Sequence, residues 1–335
     1  MRANSEGQGF DQLSPNGVVT QAASSLARFD TDLDALVAPA ERVGIAVSGG
    51  PDSLALLLLA AAARPGQVAA ATVDHGLRDG SAAEAQMVAA LCQRLAIPHH
   101  ILTADWAEPP SANIQAEARA LRYRLLGAWS RAQNLAAVAT AHHADDQAET
   151  ILMRLARGSG IAGLGGSRAS RPLTDGVRLV RPLLGWRKAE LVALVAEAGI
   201  EPVDDPANRD PRHDRSRIRR WLADSGWADP ARLAASAAAL RDADEALDWS
   251  LAPLVTARIA RDGDALTIEP FDLPRELRRR LLLAAFAELG APVPRGPELM
   301  RALAALDAGE TVTLSGLKLA GGERWRLCPE TPRRA

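Results

Sequence analysis

Lysine is nearly missing from this sequence. Of its 39 basic residues only Lys188 and Lys318 are lysine, so the positive charge is almost all arginine, the side chain suited to forked contacts with phosphate. A genomic base bias that also enriches alanine accounts for most of this. Cysteine is as scarce. Cys92 and Cys328 stand far apart, which excludes a disulfide framework and a CxxC metal or redox pair. No apolar run approaches the roughly 20 residues that span a bilayer. The opening segment MRANSEGQGFDQLSPNG is polar and lacks the charged-then-apolar pattern of a secretory signal, so a flexible cytoplasmic start is expected. Net charge is −2, which argues against a surface generally coated in nucleic acid. The local distribution of arginine is therefore the informative quantity.

What is present points to an α/β fold. The 335 residues exceed one small core, so two domains are expected. Short β-type runs at 42–47, 68–74, 99–102, 135–141 and 178–183 alternate with helical runs at 52–63, 82–96, 114–133, 145–157 and 188–198. Repeated β–α units predict a parallel, doubly wound sheet with helices on both faces and ligands at the carboxyl ends of its strands. Ser81 and Glu84 read as a capping box. Residues 202–220, PVDDPANRDPRHDRSRIRR, read as a linker or an ordered functional loop. A long alanine-rich helix over 230–260 follows. Then come a strand at 265–268, helices at 274–289 and 297–306, and a β-rich end.

The chemistry-bearing motifs all fall at strand ends. Ser48-Gly49-Gly50-Pro51-Asp52-Ser53 joins the first strand to a leucine-rich helix, the place where free backbone N–H groups meet an anion. This turn carries neither GxxxxGK followed by Ser or Thr nor GxGxxG, so it is not a Walker A or dinucleotide loop. The glycines allow close backbone approach, and Ser48 and Ser53 offer hydroxyls. Asp52 would repel a phosphate unless Mg²⁺ lay between them. Asp74 and His75 project from the second strand, with Arg78 close behind. Arg119, Arg122 and Arg124 read as a solvated helix face. His142 and His143 end a later strand, and Asp145 and Asp146 begin a helix, either as its cap or as metal ligands or a base. Adjacent histidines without cysteine make a poor zinc site. Residues 157–164 form a glycine-rich loop, a mobile lid or a helix stop. Arg275, Arg278, Arg279 and Arg280 read equally as an RNA grip or an exposed helix face.

Taken in order, these segments resemble one family. Ser48–Ser53 matches the SGGxDS loop of the PP-loop ATP pyrophosphatases. With it, DHGLR (Asp74–Arg78), QAEARALRY (Gln115–Tyr123), AHHADDQAET (Ala141–Thr150), RGSG (Arg157–Gly160), RPLL (Arg181–Leu184) and the stretch from Asp205 to Arg219 resemble the tRNA(Ile)-lysidine synthetases. The resemblance covers 42–222. It departs at His213-Asp214, where an aromatic residue often precedes the arginine in the family. It implies ATP and Mg²⁺ as cofactors. The implied reaction is adenylation of C2 oxygen of the wobble cytidine of tRNA(Ile) with a CAU anticodon, followed by attack of free lysine to give lysidine and AMP. It implies ATP contacts at Ser48, Gly49, Gly50, Pro51, Asp52, Ser53, Asp74 and His75. Metal and activation roles fall to Asp52 and Asp146, and catalytic roles to Arg215 and Arg217. tRNA contacts would come from Arg212, Arg219 and Arg220. The domains expected are an N-terminal extension with a lead-in helix over 1–40, a PP-loop catalytic domain over 41–222 and a tRNA-contact domain over 225–330. The resemblance leaves a homodimer open. A PP-loop tRNA thiolase is the nearest rival, and two isolated cysteines argue against its sulfur chemistry. A silent nucleotide- or RNA-binding module is disfavoured by the intact Ser48–Ser53 loop.

Overall fold

A computed structural model describes residues 22–76, 80–106, 114–203 and 214–330. The chain divides into two compact units, Met1–Arg241 and Asp242–Ala335. The first contains α1 (Ala22–Asp34), β1 (Val43–Ala46), α2 (Pro51–Ala63), β2 (Val68–Asp74), α3 (Ser81–Arg94), β3 (His99–Thr103), α4 (Ile114–Ala132), β4 (Ala137–Ala139), α5 (Ala144–Leu155), α6 (Ile161–Leu164), β5 (Ser170–Thr174), β6 (Val177–Val180), α7 (Lys188–Glu197) and α8 (Asp214–Ser225). The boundary between the units falls within α9 (Pro230–Arg258). Among the described residues no helix is long and apolar enough to cross a membrane.

The sheet of the first unit has the order β3-β2-β1-β4-β6-β5. β1 to β4 and β6 pair in parallel, and β5 returns antiparallel on the edge. Alternate residues of β1 and β2 feed opposite faces, as the period of two requires. Val43, Ile45, Val68 and Ala70 enter one core with α1, α2, α3 and α7. Ala69 and Ala71 enter the other, with Trp129 and Leu126 of α4. Gly44 lies on that second face, where a Cβ would sit 2.6 Å from the Trp129 ring, so only glycine lets α4 close down. α2 is apolar nearly all round because it is buried on nearly every side, and Leu54 and Leu56 to Leu59 are all core residues. Each such leucine contributes about 1.5–3 kcal/mol.

The expected helix cap at Ser81 is not formed. Gly80 is the N-cap, in the left-handed region, and the Ser81 hydroxyl donates to Asp74 at 2.7 Å instead. The glycine-rich segment after α5 is a helix stop. Gly158 is left-handed, and Ser159 N–H returns to the Arg154 carbonyl at 3.0 Å.

The second unit contains β7 (Ile259–Asp262), β8 (Ala265–Ile268), α10 (Arg275–Glu288), α11 (Gly296–Asp307), β9 (Thr311–Leu314), β10 (Leu317–Ala320) and β11 (Trp325–Pro329). Its antiparallel sheet, ordered β7-β8-β11-β10-β9, packs Leu266, Ile268, Leu319, Trp325 and Leu327 against Phe286 and Leu303 of the two helices. Three of the four α10 arginines are tied down. Arg278 bonds Asp307, Arg279 bonds Glu276, and buried Arg280 is held by Asp244, Asp248 and Glu276. Of the two readings of this cluster, an RNA grip or an exposed helix face, neither holds for buried Arg280, while Arg275 is exposed at the start of the helix.

Candidate active site

Strands β1, β2 and β3 run outward to one side of β1, and β4 lies on the other. The strand order therefore reverses between β1 and β4, and a crevice opens beyond their carboxyl ends. A cleft of about 830 Å³ fills that crevice. Ser48, Gly50, Pro51, Asp52 and Ser53 line it from β1, His75 from β2, and His142 and Asp146 from β4.

The β1–α2 turn is built for an anion. Gly49 has φ +83°, a value that strains any other residue, and a Cβ there would meet Val203 at 2.9 Å. Gly50 is the N-cap without a capping side chain, and Pro51 follows at the first helical position. Ser53 Oγ accepts from Ser48 N–H at 3.1 Å and donates to the Gly50 carbonyl at 2.9 Å, which folds the loop on itself. Gly50 brings no capping side chain, so among the described residues the first N–H groups of α2 stay available to a ligand.

Across the crevice, His143 is the N-cap of α5 and forms a reciprocal capping box with Asp146. The imidazole is 2% exposed. Its Nε2 lies 3.4 Å from Asp52 Oδ2 and 3.6 Å from Asp146 Oδ2, and its Nδ1 lies 3.7 Å from Asp145 Oδ2. Nδ1 also faces the Asp146 N–H at 3.4 Å, which favours the neutral ring. Burial opposes charge on His143, but Asp52, Asp146 and Asp145 together raise its pKa above the ordinary value. Burial likewise opposes a charged Asp52, yet His143, then Lys188 and Arg219, hold its carboxyl below the usual range. His142, one residue earlier, is pushed down to about 4, by burial first; Asp146 opposes this, and the charges of Arg181, Arg119 and Arg215 add to it. Two neighbouring histidines thus have opposite charge preferences.

Asp145 and Asp146 divide their work. Asp145 accepts from Lys188 N–H at 2.8 Å and from Arg187, which ties α5 to α7, and it does not line the cleft. Asp146 does line it. Asp74 serves its own turn by accepting from Gly76 N–H and Ser81, while His75 faces the cleft beside Arg122.

α8 separates the arginines by helical spacing. Arg215 and Arg219, four apart, share the face that lines the cleft. Arg219 Nε donates to Glu149 at 2.6 Å, and Arg215 Nε lies 3.8 Å from the same carboxylate, whose side chain is 1% exposed. Arg217 points elsewhere, with 68% side-chain exposure and a 2.6 Å bond to Asp214. Arg220 is exposed beside it. Arg212, Arg78 and the stretch from Asp205 to Asp210 lie outside the described residues.

Several lining residues were not singled out from sequence. Arg122 and Tyr123 line the wall, so that stretch of α4 is not only a solvated face. Lys188, at the start of α7, reaches the cleft and bears on Asp52. Lysine scarcity was the one signal for it. Among the described residues no three His, Cys, Asp or Glu side chains form a pre-built metal cage.

A strand–turn–helix anion loop at the switch point, with acidic and basic walls, defines an ATP-utilising PP-loop protein. A model of the PP-loop domain matches residues 20–225. The chain is 49% identical over 314 residues to the tRNA(Ile)-lysidine synthase of Novosphingobium aromaticivorans, covering 92% of this chain and 95% of that one. It is 43% identical over 297 residues to that of Zymomonas mobilis, covering 88% and 90%. The chain belongs to the tRNA(Ile)-lysidine synthase family. Among solved structures, the U34-tRNA thiolase NcsA from Methanococcus maripaludis, with its 4Fe–4S cluster, has a TM-score of 0.56 at 17% identity, covering 65% of this chain and 78% of that one. That is a likeness of fold.

Proposed function

We propose that this chain is a carbon–nitrogen ligase that joins free lysine to C2 of the wobble cytidine of tRNA(Ile) with a CAU anticodon, at the expense of ATP. The convergence of the Ser48–Ser53 loop, Asp146, Lys188, Arg215 and Arg219 on one cleft carries this reading. The first N–H groups of α2 would hold the triphosphate, and Lys188 would supply the cation that a Walker lysine supplies elsewhere. The cytidine C2 oxygen attacks the α-phosphorus, and the bond to pyrophosphate breaks. The lysine ε-amine then attacks C2, and AMP leaves with the former carbonyl oxygen. Arg215 and Arg219 face the cleft from α8 and stabilise charge on the transferring phosphoryl group. Arg217, on the other face, belongs with the RNA. The tRNA substrate places the reaction in the cytoplasm.

Mg²⁺ fits this site on one observation. Asp52 Oδ1 is buried without a hydrogen-bond partner, beside Asp146 and at the mouth of the anion loop. Asp52 and Asp146 would hold the ion, which supplies charge neutralisation at the phosphates when bound. A site of two carboxylates completed by substrate phosphates also explains why no protein cage is needed.

The test is to incubate the chain with ATP, lysine and the tRNA transcript and to weigh the digested nucleosides. A mass gain of lysine less water at the wobble cytidine is expected. Sulfur addition, or no ATP–pyrophosphate exchange with tRNA present, overturns the reading.

A further inference from the structure

The helix that brings Arg215 and Arg219 to the cleft has a second face that the reaction leaves unused. At 3.6 residues per turn, Arg217, Arg220 and Trp221 fall on the side of α8 away from Arg215 and Arg219. All three are exposed, Trp221 at 45%. Just past the helix, Trp227 is 75% exposed, and its ring meets that of Trp221 edge to face, with centroids 5.7 Å apart and planes at 85°. Leaving large indole surface in water forgoes the burial that stabilises a fold, so a contacting exposed pair marks a binding surface. The edge-on contact leaves broad indole face open to a flat ring. On this side of α8, Arg217 bonds Asp214 at 2.6 Å, and Arg157 reaches the same carboxylate at 3.3 Å. Arg220 is exposed on the same side of the helix, as is Asp224.

An open aromatic face with exposed guanidinium groups on the adjoining helix face is what an unpaired nucleobase and its phosphates require. We propose that Trp221 and Trp227 form a stacking platform for an unpaired base of the RNA substrate, next to the base that enters the cleft, with Arg217 and Arg220 on the adjoining phosphates. One helix diameter, roughly 10–12 Å, separates the platform from the cleft face of α8. Bases neighbouring the reacting one are therefore within its reach. The platform rests on the tRNA-modifying reading above. It explains why four arginines of one short helix divide into two pairs.

The full chain is titrated with the CAU-anticodon tRNA(Ile) transcript at fixed salt, and its affinity for ATP is measured separately. Trp227→Leu is expected to weaken RNA binding about tenfold or more, with ATP affinity unchanged. Trp227→Phe keeps a flat ring and most of the affinity. Indole fluorescence gives a readout independent of any folding defect. Wild type should be quenched on RNA binding, and Trp227→Phe should lose that part of the quench. If wild type binds and modifies the transcript but Trp227→Leu binds it equally well, the platform is wrong. An equal quench in Trp227→Phe is equally fatal to it. A shift from dimer to monomer in Trp227→Leu without loss of RNA affinity would assign the surface to a second copy of the chain and overturn the proposal. A wild-type chain that binds the transcript without adding lysine sinks the lysidine reading and leaves the platform standing.

Discussion

Nε2 of His143 lies 3.4 Å from Oδ2 of Asp52, which joins the N-terminus of α5 to the first turn of α2 across the switch point of the sheet. Both helix starts are positive ends that favour carboxylates, and the buried imidazole sits between them. The anion loop and the acidic wall are thereby held in register before any nucleotide arrives.

This contact predicts a pH window. The pKa of His143 is raised in the folded chain, so its contribution is fully present below the unfolded value of 6.5 and is lost as pH rises through the folded value. The pKa of Asp52 is lowered, so its contribution is present above 3.8 and is lost as pH falls through its folded value. Without nucleotide, the pair stabilises most between about 3.8 and 6.5. Thermal midpoints of wild type and His143→Gln, followed from acid to mildly alkaline buffer, should converge as pH rises. Parallel curves would mean that the charges of this pair contribute nothing.

Lys188 is placed to act on the phosphates. Lys188→Ala should lower kcat/KM for ATP by about 10- to 100-fold, the worth of one charge-assisted hydrogen bond, and Lys188→Arg should recover part of it. Its backbone N–H, not its side chain, holds Asp145, so stability should hardly change. ATP–pyrophosphate exchange measures the first effect and thermal denaturation the second. Exchange at the wild-type rate would remove Lys188 from the site.

The contrast between Ser48–Ser53 and Lys188 shows what the sequence made legible. The loop is contiguous, so strand, turn and helix could be read together, and the α2 boundary differs by one residue from expectation. Lys188 reaches the loop only because β4 and β6 stack on the far side of β1, a relation that no local pattern encodes. β5 went unread because Ser170–Thr174 is polar, half-buried and contains Pro172, yet Asp175-Gly176 before Val177 is a strong hairpin signal. In 202–220, proline and aspartate masked the start of α8. Once 214–225 is a helix, spacing alone separates Arg215 and Arg219 from Arg217.

That separation predicts different losses at neighbouring arginines. Arg219→Ala removes a cleft guanidinium and leaves buried Glu149, among the described residues, with Arg215 at 3.8 Å. Turnover should fall by about a hundredfold, and stability by about 1–3 kcal/mol. Arg217→Ala should leave stability within about 0.5 kcal/mol, since Asp214 keeps Arg157. It should weaken RNA binding and reduce the salt slope by about one. Loss of turnover in Arg217→Ala at saturating tRNA would return Arg217 to the chemistry.

In the second unit, Arg280 and Arg275 should separate structure from recognition. Arg280 is 6% exposed, and its guanidinium lies 2.5 Å from Asp244, which is as deeply buried. Asp248 and Glu276 accept from the rest of the guanidinium. Removing the guanidinium breaks the buried ion pair with Asp244, a loss of about 3–5 kcal/mol. Arg280→Met should therefore unfold this unit several degrees earlier at every salt concentration, because the pair is shielded from screening. Arg275 is exposed at the start of α10, so Arg275→Ala should leave the melting curve unchanged. If RNA affinity falls in Arg280→Met at a temperature where the unit is fully folded, the buried network would have a binding role that its geometry does not provide.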